Sequence, residues 1–138
     1  MSIESSRHAG PATDSRALKS RHGVMRLLDA TRHSLDGLRA AWLHESAFRQ
    51  ELMTAAVLIP LAVFLPVSAL EKILLIGVVV LVLIVELLNS AIEAAVDRDS
   101  LEINPLGKRA KDFGSAAVML ALLLAGATWV AVIGTRFL

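Results

Sequence analysis

The stretch ILLIGVVVLVLIVELLNSAIEAAVD, residues 73–97, is hydrophobic over a length that can cross a bilayer, yet it carries carboxylates within it. With about 100° between successive residues of an α-helix, one narrow face collects the polar residues Glu86, Asn89, Ser90, Glu93 and Asp97. A charge deep in a membrane costs about 2.5 to 3.5 kcal/mol on insertion scales, so acids there usually face protein, metal or water. The pattern predicts a transmembrane helix with a functional acidic face.

A purely structural role for this face is the alternative. Asn89 and Ser90 are well suited to hydrogen bonds between membrane helices. Two glutamates on the same face, Glu86 and Glu93, are harder to explain in that way. The sequence therefore favours a site over a packing device.

Composition restricts the class of protein. The chain has 138 residues, of which 55% are hydrophobic, and no cysteine, with a formal net charge of +1. Its mean hydropathy is +0.62. These values indicate one small integral membrane domain and argue against a nucleic-acid-binding surface or a disulfide framework. We expect residues 1–22 to form a polar, flexible tail and residues 23–138 to form the membrane domain.

Hydrophobic periodicity divides the membrane domain into helices. Apolar residues recur at helical spacing over about 24–47, among arginines and aspartates, which predicts an amphipathic helix on the bilayer surface with Trp42 as an interfacial anchor. Three apolar runs then predict transmembrane helices over about 46–66, 73–96 and 113–134. The expected fold is an all-α membrane protein with a surface helix and three transmembrane helices.

Loop charges predict the orientation of the chain. Of the 14 lysines and arginines, eight precede the apolar run 52–66 and four lie between Asp97 and Asp112. The positive-inside rule therefore puts the N-terminus and the loop after residue 97 in the cytoplasm, and the C-terminus outside.

The cytoplasmic boundary would then gather Glu45, Glu93, Asp97 and a sequence pair, Lys111 and Asp112. Hard oxygen ligands suit Mg²⁺ that carries nucleotide phosphates, and a lysine would balance the phosphate charge. No GxxxxGK[ST] loop is present in the sequence. Glu86 lies deeper, where a base could take a proton from a lipid hydroxyl. These residues alone leave a proton- or ion-conducting oligomer as an alternative.

Three segments carry a resemblance to a known family: GLRAAWLHESAFRQE (37–51), VELLNSAIEAAVDR (85–98) and KRAKDFGSAAV (108–118). Together they resemble the prokaryotic diacylglycerol kinases, from about Arg26 to the C-terminus. The resemblance implies a homotrimer in the bacterial cytoplasmic membrane with active sites between protomers. It also implies transfer of the γ-phosphate of MgATP to diacylglycerol, giving phosphatidic acid in phospholipid metabolism. A kinase of another lipid alcohol, such as undecaprenol, shares this architecture and stays open.

The resemblance also implies roles for particular residues. Glu86 would be the catalytic base with Asn89 beside it, and Glu45 and Glu93 would bind the magnesium. The nucleotide contacts would be Arg26, His33, Glu45, Glu93, Glu102, Asn104, Lys111 and Asp112. The lipid contacts would be Arg26, Ala30, Arg39, Trp42, Ala47, Glu51, Glu86 and Ser115.

Overall fold

A computed structural model describes residues 15–99 and 104–137 of the chain. Within those residues the fold consists of the helices α1 (Ser15–His44), α2 (Ser46–Phe64), α3 (Ala69–Asp99) and α4 (Pro105–Phe137). By length and composition, α2, α3 and α4 are each able to cross a membrane. The predicted all-α fold with three potential transmembrane helices is therefore confirmed.

The helix ends differ from those expected from hydropathy. Helix α1 begins at Ser15, inside the stretch expected to be a tail, and α3 and α4 extend beyond their apolar runs at both ends. Hydropathy marks the apolar part of a helix, whereas capping residues and turns set where the helix ends. The rest of the expected tail, residues 1–14, lies outside the described part of the chain.

The chain divides into two compact units, of which the first extends to Arg39. In this unit, all described side chains from Gly23 to Arg39 are exposed, including those of Leu27, Leu28 and Leu35. Such an exposed apolar set on a helix is what the predicted surface helix requires.

The second unit, from Ala40 onward, is built around α3, which packs against both α2 and α4. Helix α2 buries Phe48, Ala55 and Ala62, which recur every seven residues and so lie along one stripe. Alanines in such a stripe allow neighbouring helices to approach closely. The packed stripe of α3 consists of Leu75, Val78, Val79, Val82 and Glu86.

The turn between α2 and α3 is held by several specific contacts. Ser68 and Glu71 form a capping box at the start of α3: the Ser68 N–H donates to Glu71 Oε2 at 2.7 Å, and the Glu71 N–H donates to Ser68 Oγ at 3.3 Å. From α4, Arg136 Nε donates to the Pro66 carbonyl at 3.2 Å. Beside the turn, Trp129 Nε1 donates to the Leu75 carbonyl at 3.3 Å. These bonds fix the end of the bundle opposite the acidic residues.

Candidate active site

Glu86 is the charged residue at the centre of the candidate site. Its side chain lies on the packed stripe of α3 and is only 4% exposed. Two other carboxylates, Glu93 on α3 and Glu45 at the start of α2, lie close enough to interact electrostatically with it. Both carboxylates are thus near Glu86 within one chain.

Glu45 reaches this region because the chain bends between α1 and α2. It adopts an extended backbone (φ −104°, ψ 110°) as the N-cap residue of α2, and its side chain makes no capping hydrogen bond. The guanidinium of Arg49 supports the bend, since its Nη1 donates to the Trp42 carbonyl at 2.9 Å and to that of Leu43 at 3.4 Å. The Glu45 carboxylate is therefore not used by the helix end and remains available to a ligand.

One turn along α3 from Glu86, Asn89 forms a hydrogen bond with Glu93 on the same polar face. Its Nδ2 donates to Glu93 Oε1 at 3.2 Å. Its Oδ1 and the hydroxyl of Ser90 are buried and have no hydrogen-bond partner among the described residues. Buried polar atoms are normally paired, so these two atoms are exceptions within the packed polar face of α3.

Lys111 joins α4 to the acidic face of α3. Its Nζ lies 2.5 Å from Asp97 Oδ1, and Glu93 also interacts with it electrostatically. Asp112 points elsewhere and pairs with Lys108, whose Nζ lies 2.7 Å from Asp112 Oδ2. The sequence pair Lys111 and Asp112 therefore forms two separate ion pairs, because neighbouring residues of a helix point about 100° apart.

The start of α4 is fixed by Asn104. Its Oδ1 accepts the Leu106 N–H at 2.9 Å, as an N-cap residue does, and Pro105 occupies the first helical position. The carbonyl oxygen of the Asn104 side chain is therefore engaged in capping. Glu102, expected to contact the nucleotide, lies outside the described residues.

Glu51 lies beside Glu86 on the adjoining helix α2. The two carboxylates interact electrostatically, and Glu51 Oε2 is buried without a partner among the described residues. Glu51 also lines an apolar groove of about 110 Å³, whose other walls are Thr54, Leu58, Val79, Val82, Leu122 and Ala125. The groove thus joins a carboxylate near Glu86 to a hydrocarbon surface.

The remaining residues expected at the site fall into two groups. Trp42, Ala47 and Ser115 belong to the second unit and are exposed. The others belong to the first unit, where each has an exposed side chain: Arg26, Ala30, His33 and Arg39.

Sequence reasoning missed two contacts of this site. It did not pair Asp97 with Lys111, although the i,i+4 spacing of Lys108 and Asp112 could have indicated that Asp112 was already paired. Nor did it identify Gly114, within the segment KRAKDFGSAAV, which packs against Asn89. A glycine inside a predicted helix was the available signal, because it often marks close packing.

The chain is similar to known proteins. The family model described as prokaryotic diacylglycerol kinase matches residues 32–133. The chain is 48% identical over 115 residues to a diacylglycerol kinase of Escherichia coli strain K12 and 53% identical over 115 residues to one of Pseudomonas aeruginosa, in each case covering 83% of this chain and 94% of the relative. It is 46% identical over 107 residues to a diacylglycerol kinase of Helicobacter pylori strain 26695, covering 78% of this chain and 84% of the relative.

Proposed function

The chain belongs to the prokaryotic diacylglycerol kinase family, and we propose that it transfers the γ-phosphate of ATP to diacylglycerol, giving phosphatidic acid, at the cytoplasmic face of a bacterial membrane. The observation that carries the proposal is the buried Glu86, which has the carboxylates of Glu45 and Glu93 close by. A carboxylate at that depth can meet a hydroxyl held in lipid, while the other two lie toward the end of the helix where a nucleotide would arrive.

The proposed reaction is a direct in-line transfer. The free hydroxyl oxygen of diacylglycerol forms a bond to the γ-phosphorus, the bond from that phosphorus to the β–γ bridging oxygen breaks, and ADP leaves. Glu86 accepts the hydroxyl proton as general base. Since phosphoryl transfer needs little covalent help from protein, most of the catalysis would come from positioning the two substrates.

The carboxylates fit a magnesium ion that arrives with the nucleotide. Mg²⁺ at kinase sites is usually held by one or two carboxylates together with substrate phosphates and water. Glu45 and Glu93, each near Glu86, would supply two such hard oxygen ligands from different elements. Among the described residues, no group of three or more acids or histidines could hold a metal ion by itself. When bound, the ion would neutralise charge on the transferring phosphate.

The remaining nucleotide contacts are proposed around the N-terminal end of α4. Lys111 is held by Asp97 and lies near Glu93, where its ammonium group can approach the phosphates. Asp112 and Asn104 border the same end of α4. From elsewhere in the chain, the nucleotide contacts proposed through family resemblance are Arg26, His33 and Glu102.

The lipid is proposed to lie beside α2. Glu51 lines the apolar groove and interacts electrostatically with Glu86, so the groove would offer hydrocarbon walls to an acyl chain and a carboxylate to the hydroxyl-bearing end. The remaining lipid contacts, proposed through the family, are Arg26, Ala30, Arg39, Trp42, Ala47 and Ser115.

A homotrimer with sites between protomers is part of the proposal. The resemblance to the family carries this part of the proposal, since it implies active sites between neighbouring protomers. Exposed apolar side chains on the three apolar helices α2, α3 and α4 provide surface for protomer contact or lipid.

A direct assay tests the proposed function. The full chain, purified in mixed micelles, would be offered radiolabelled ATP with diacylglycerol and undecaprenol side by side. We expect label in phosphatidic acid at a rate well above that in undecaprenyl phosphate, because the relatives carry the name diacylglycerol kinase. Faster labelling of undecaprenol would contradict the proposed substrate, and label in neither lipid would contradict the kinase itself.

A further inference from the structure

Gly114 on α4 contacts the polar face of α3 at Asn89. It is buried, and a Cβ built on it would overlap the side-chain Oδ1 of Asn89. The same Cβ would lie 3.2 Å from Asn89 Cγ and 3.7 Å from Asn89 Cα. The tight contact is therefore with the end of the Asn89 side chain.

The spacing of the two helices does not itself require glycine at this position. A distance of 3.7 Å from a Cβ to the Asn89 Cα is ordinary van der Waals contact, so the α3 backbone would tolerate an alanine. By comparison, a Cβ on Gly126, further along α4, would meet nothing within 4 Å. What needs the space at Gly114 is the carboxamide of Asn89.

The nitrogen and the oxygen of the Asn89 carboxamide contact different helices. Its Nδ2 donates to Glu93 Oε1 at 3.2 Å, and its Oδ1, buried and without a donor among the described residues, lies against Gly114. A side chain at position 114 would push the Oδ1 end away and turn the amide. The hydrogen bond to Glu93 depends on that orientation.

We propose that Gly114 is a positioning residue, which leaves room for Asn89 to hold the Glu93 carboxylate in place for the nucleotide's magnesium. The inference rests on the proposed function, in which Glu93 is a magnesium ligand. Groups that orient metal ligands commonly change metal affinity by roughly 10- to 100-fold when they are removed. Gly114 would act indirectly, through its contact with Asn89.

The test is a double-mutant cycle on nucleotide binding. A non-hydrolysable ATP analogue with Mg²⁺ is titrated by calorimetry into the full-length protein in detergent, using Gly114→Ala, Asn89→Ala, the double variant and Gly126→Ala as the matched control. We expect the dissociation constant to rise roughly tenfold for Gly114→Ala and at least as much for Asn89→Ala. The double variant should match Asn89→Ala, because the side chain that an alanine at position 114 would displace is gone. Gly126→Ala should bind like the wild type.

Thermal unfolding of the nucleotide-free protein separates positioning from packing. Because only the end of one side chain must move, Gly114→Ala should leave the unfolding midpoint close to that of the wild type. A large fall in the midpoint, defects that simply add in the double variant, or unchanged binding by Gly114→Ala would each overturn the inference.

Binding by a Glu93→Gln variant distinguishes a failure of this inference from a failure of the proposed magnesium role of Glu93. If Glu93→Gln weakens binding of the Mg²⁺ nucleotide and Gly114→Ala does not, the inference alone fails. If Glu93→Gln binds like the wild type, the magnesium assignment fails and the inference fails with it.

Discussion

At the scale of single residues, the position of each acid in the packed bundle separates its role from those of the others. Glu86 is buried among helices, Glu45 is left free by the helix it begins, and Glu71 is used as a cap at the other end of α3. A buried carboxylate near others of like charge is stabilised by a nearby cation. In the proposed reaction, the magnesium of the nucleotide would be that cation.

The Asp97–Lys111 pair gives a prediction at this scale. We expect Asp97→Asn to raise the KM for ATP roughly fivefold with a smaller effect on the KM for diacylglycerol, since an exposed charge pair contributes up to about 1 kcal/mol and Lys111 would lose the partner that holds it. Steady-state kinetics in mixed micelles measures both constants. The control is Asp36→Asn, an exposed residue of α1 with no proposed role. An unchanged KM for ATP would count against Lys111 as an oriented nucleotide contact.

Which acids share a face could be predicted from sequence, but their partners on other helices could not. The helical period alone puts Glu86, Asn89 and Glu93 together. The contact of Asp97 with Lys111 depends on the relative rotation and height of α3 and α4, which no local pattern contains. The same is true of Gly114 against Asn89.

At the scale of elements, α3 is the central helix, against which both α2 and α4 pack. Its packed stripe is apolar from Leu75 to Val82 and becomes polar at Glu86, so one continuous face first stabilises the bundle and then enters the candidate site. Apolar runs predicted α2, α3 and α4. Hydropathy did not predict where these helices end, because capping residues set the ends. Ser68 and Glu71 cap the start of α3, and Asn104 caps the start of α4.

Leu75 gives a prediction for this element. Its side chain is fully buried, with 0% exposure, so Leu75→Ala should lower the free energy of unfolding by about 2 kcal/mol or more through the cavity it leaves. Neighbouring Leu74 is 49% exposed, and Leu74→Ala is the matched control, with an expected change within about 0.5 kcal/mol. Unfolding by titration with a denaturing detergent measures both. Equal losses would show that the stripe is wrongly identified.

At the scale of the whole molecule, the two ends of the bundle differ in chemistry. One end holds the turn between α2 and α3, tied by hydrogen bonds between side chains and the backbone, and the other holds the acids and Lys111. The distribution of lysines and arginines predicts that the acidic end is cytoplasmic. Nucleotide would then reach the site from the side where it is made.

The absence of cysteine makes this orientation testable. Single cysteines would be introduced at the exposed positions Leu70, near the α2–α3 turn, and Arg109, near the start of α4. In intact spheroplasts, a membrane-impermeant maleimide should label Leu70→Cys at once and Arg109→Cys only after permeabilisation. The reverse pattern would put the acidic end outside and contradict a cytoplasmic active site.

The proposed role of Glu86 as general base is tested most directly by an assay of phosphate transfer. The rate at which radiolabelled phosphate passes from ATP to diacylglycerol is measured for Glu86→Gln, the wild type and Glu71→Gln. Loss of a general base typically costs about 10²- to 10⁴-fold in rate. We predict a loss of at least that size for Glu86→Gln in protein that still folds and binds Mg²⁺ nucleotide, and a near-normal rate for Glu71→Gln. Turnover by Glu86→Gln at the wild-type rate would contradict the role of the buried acid.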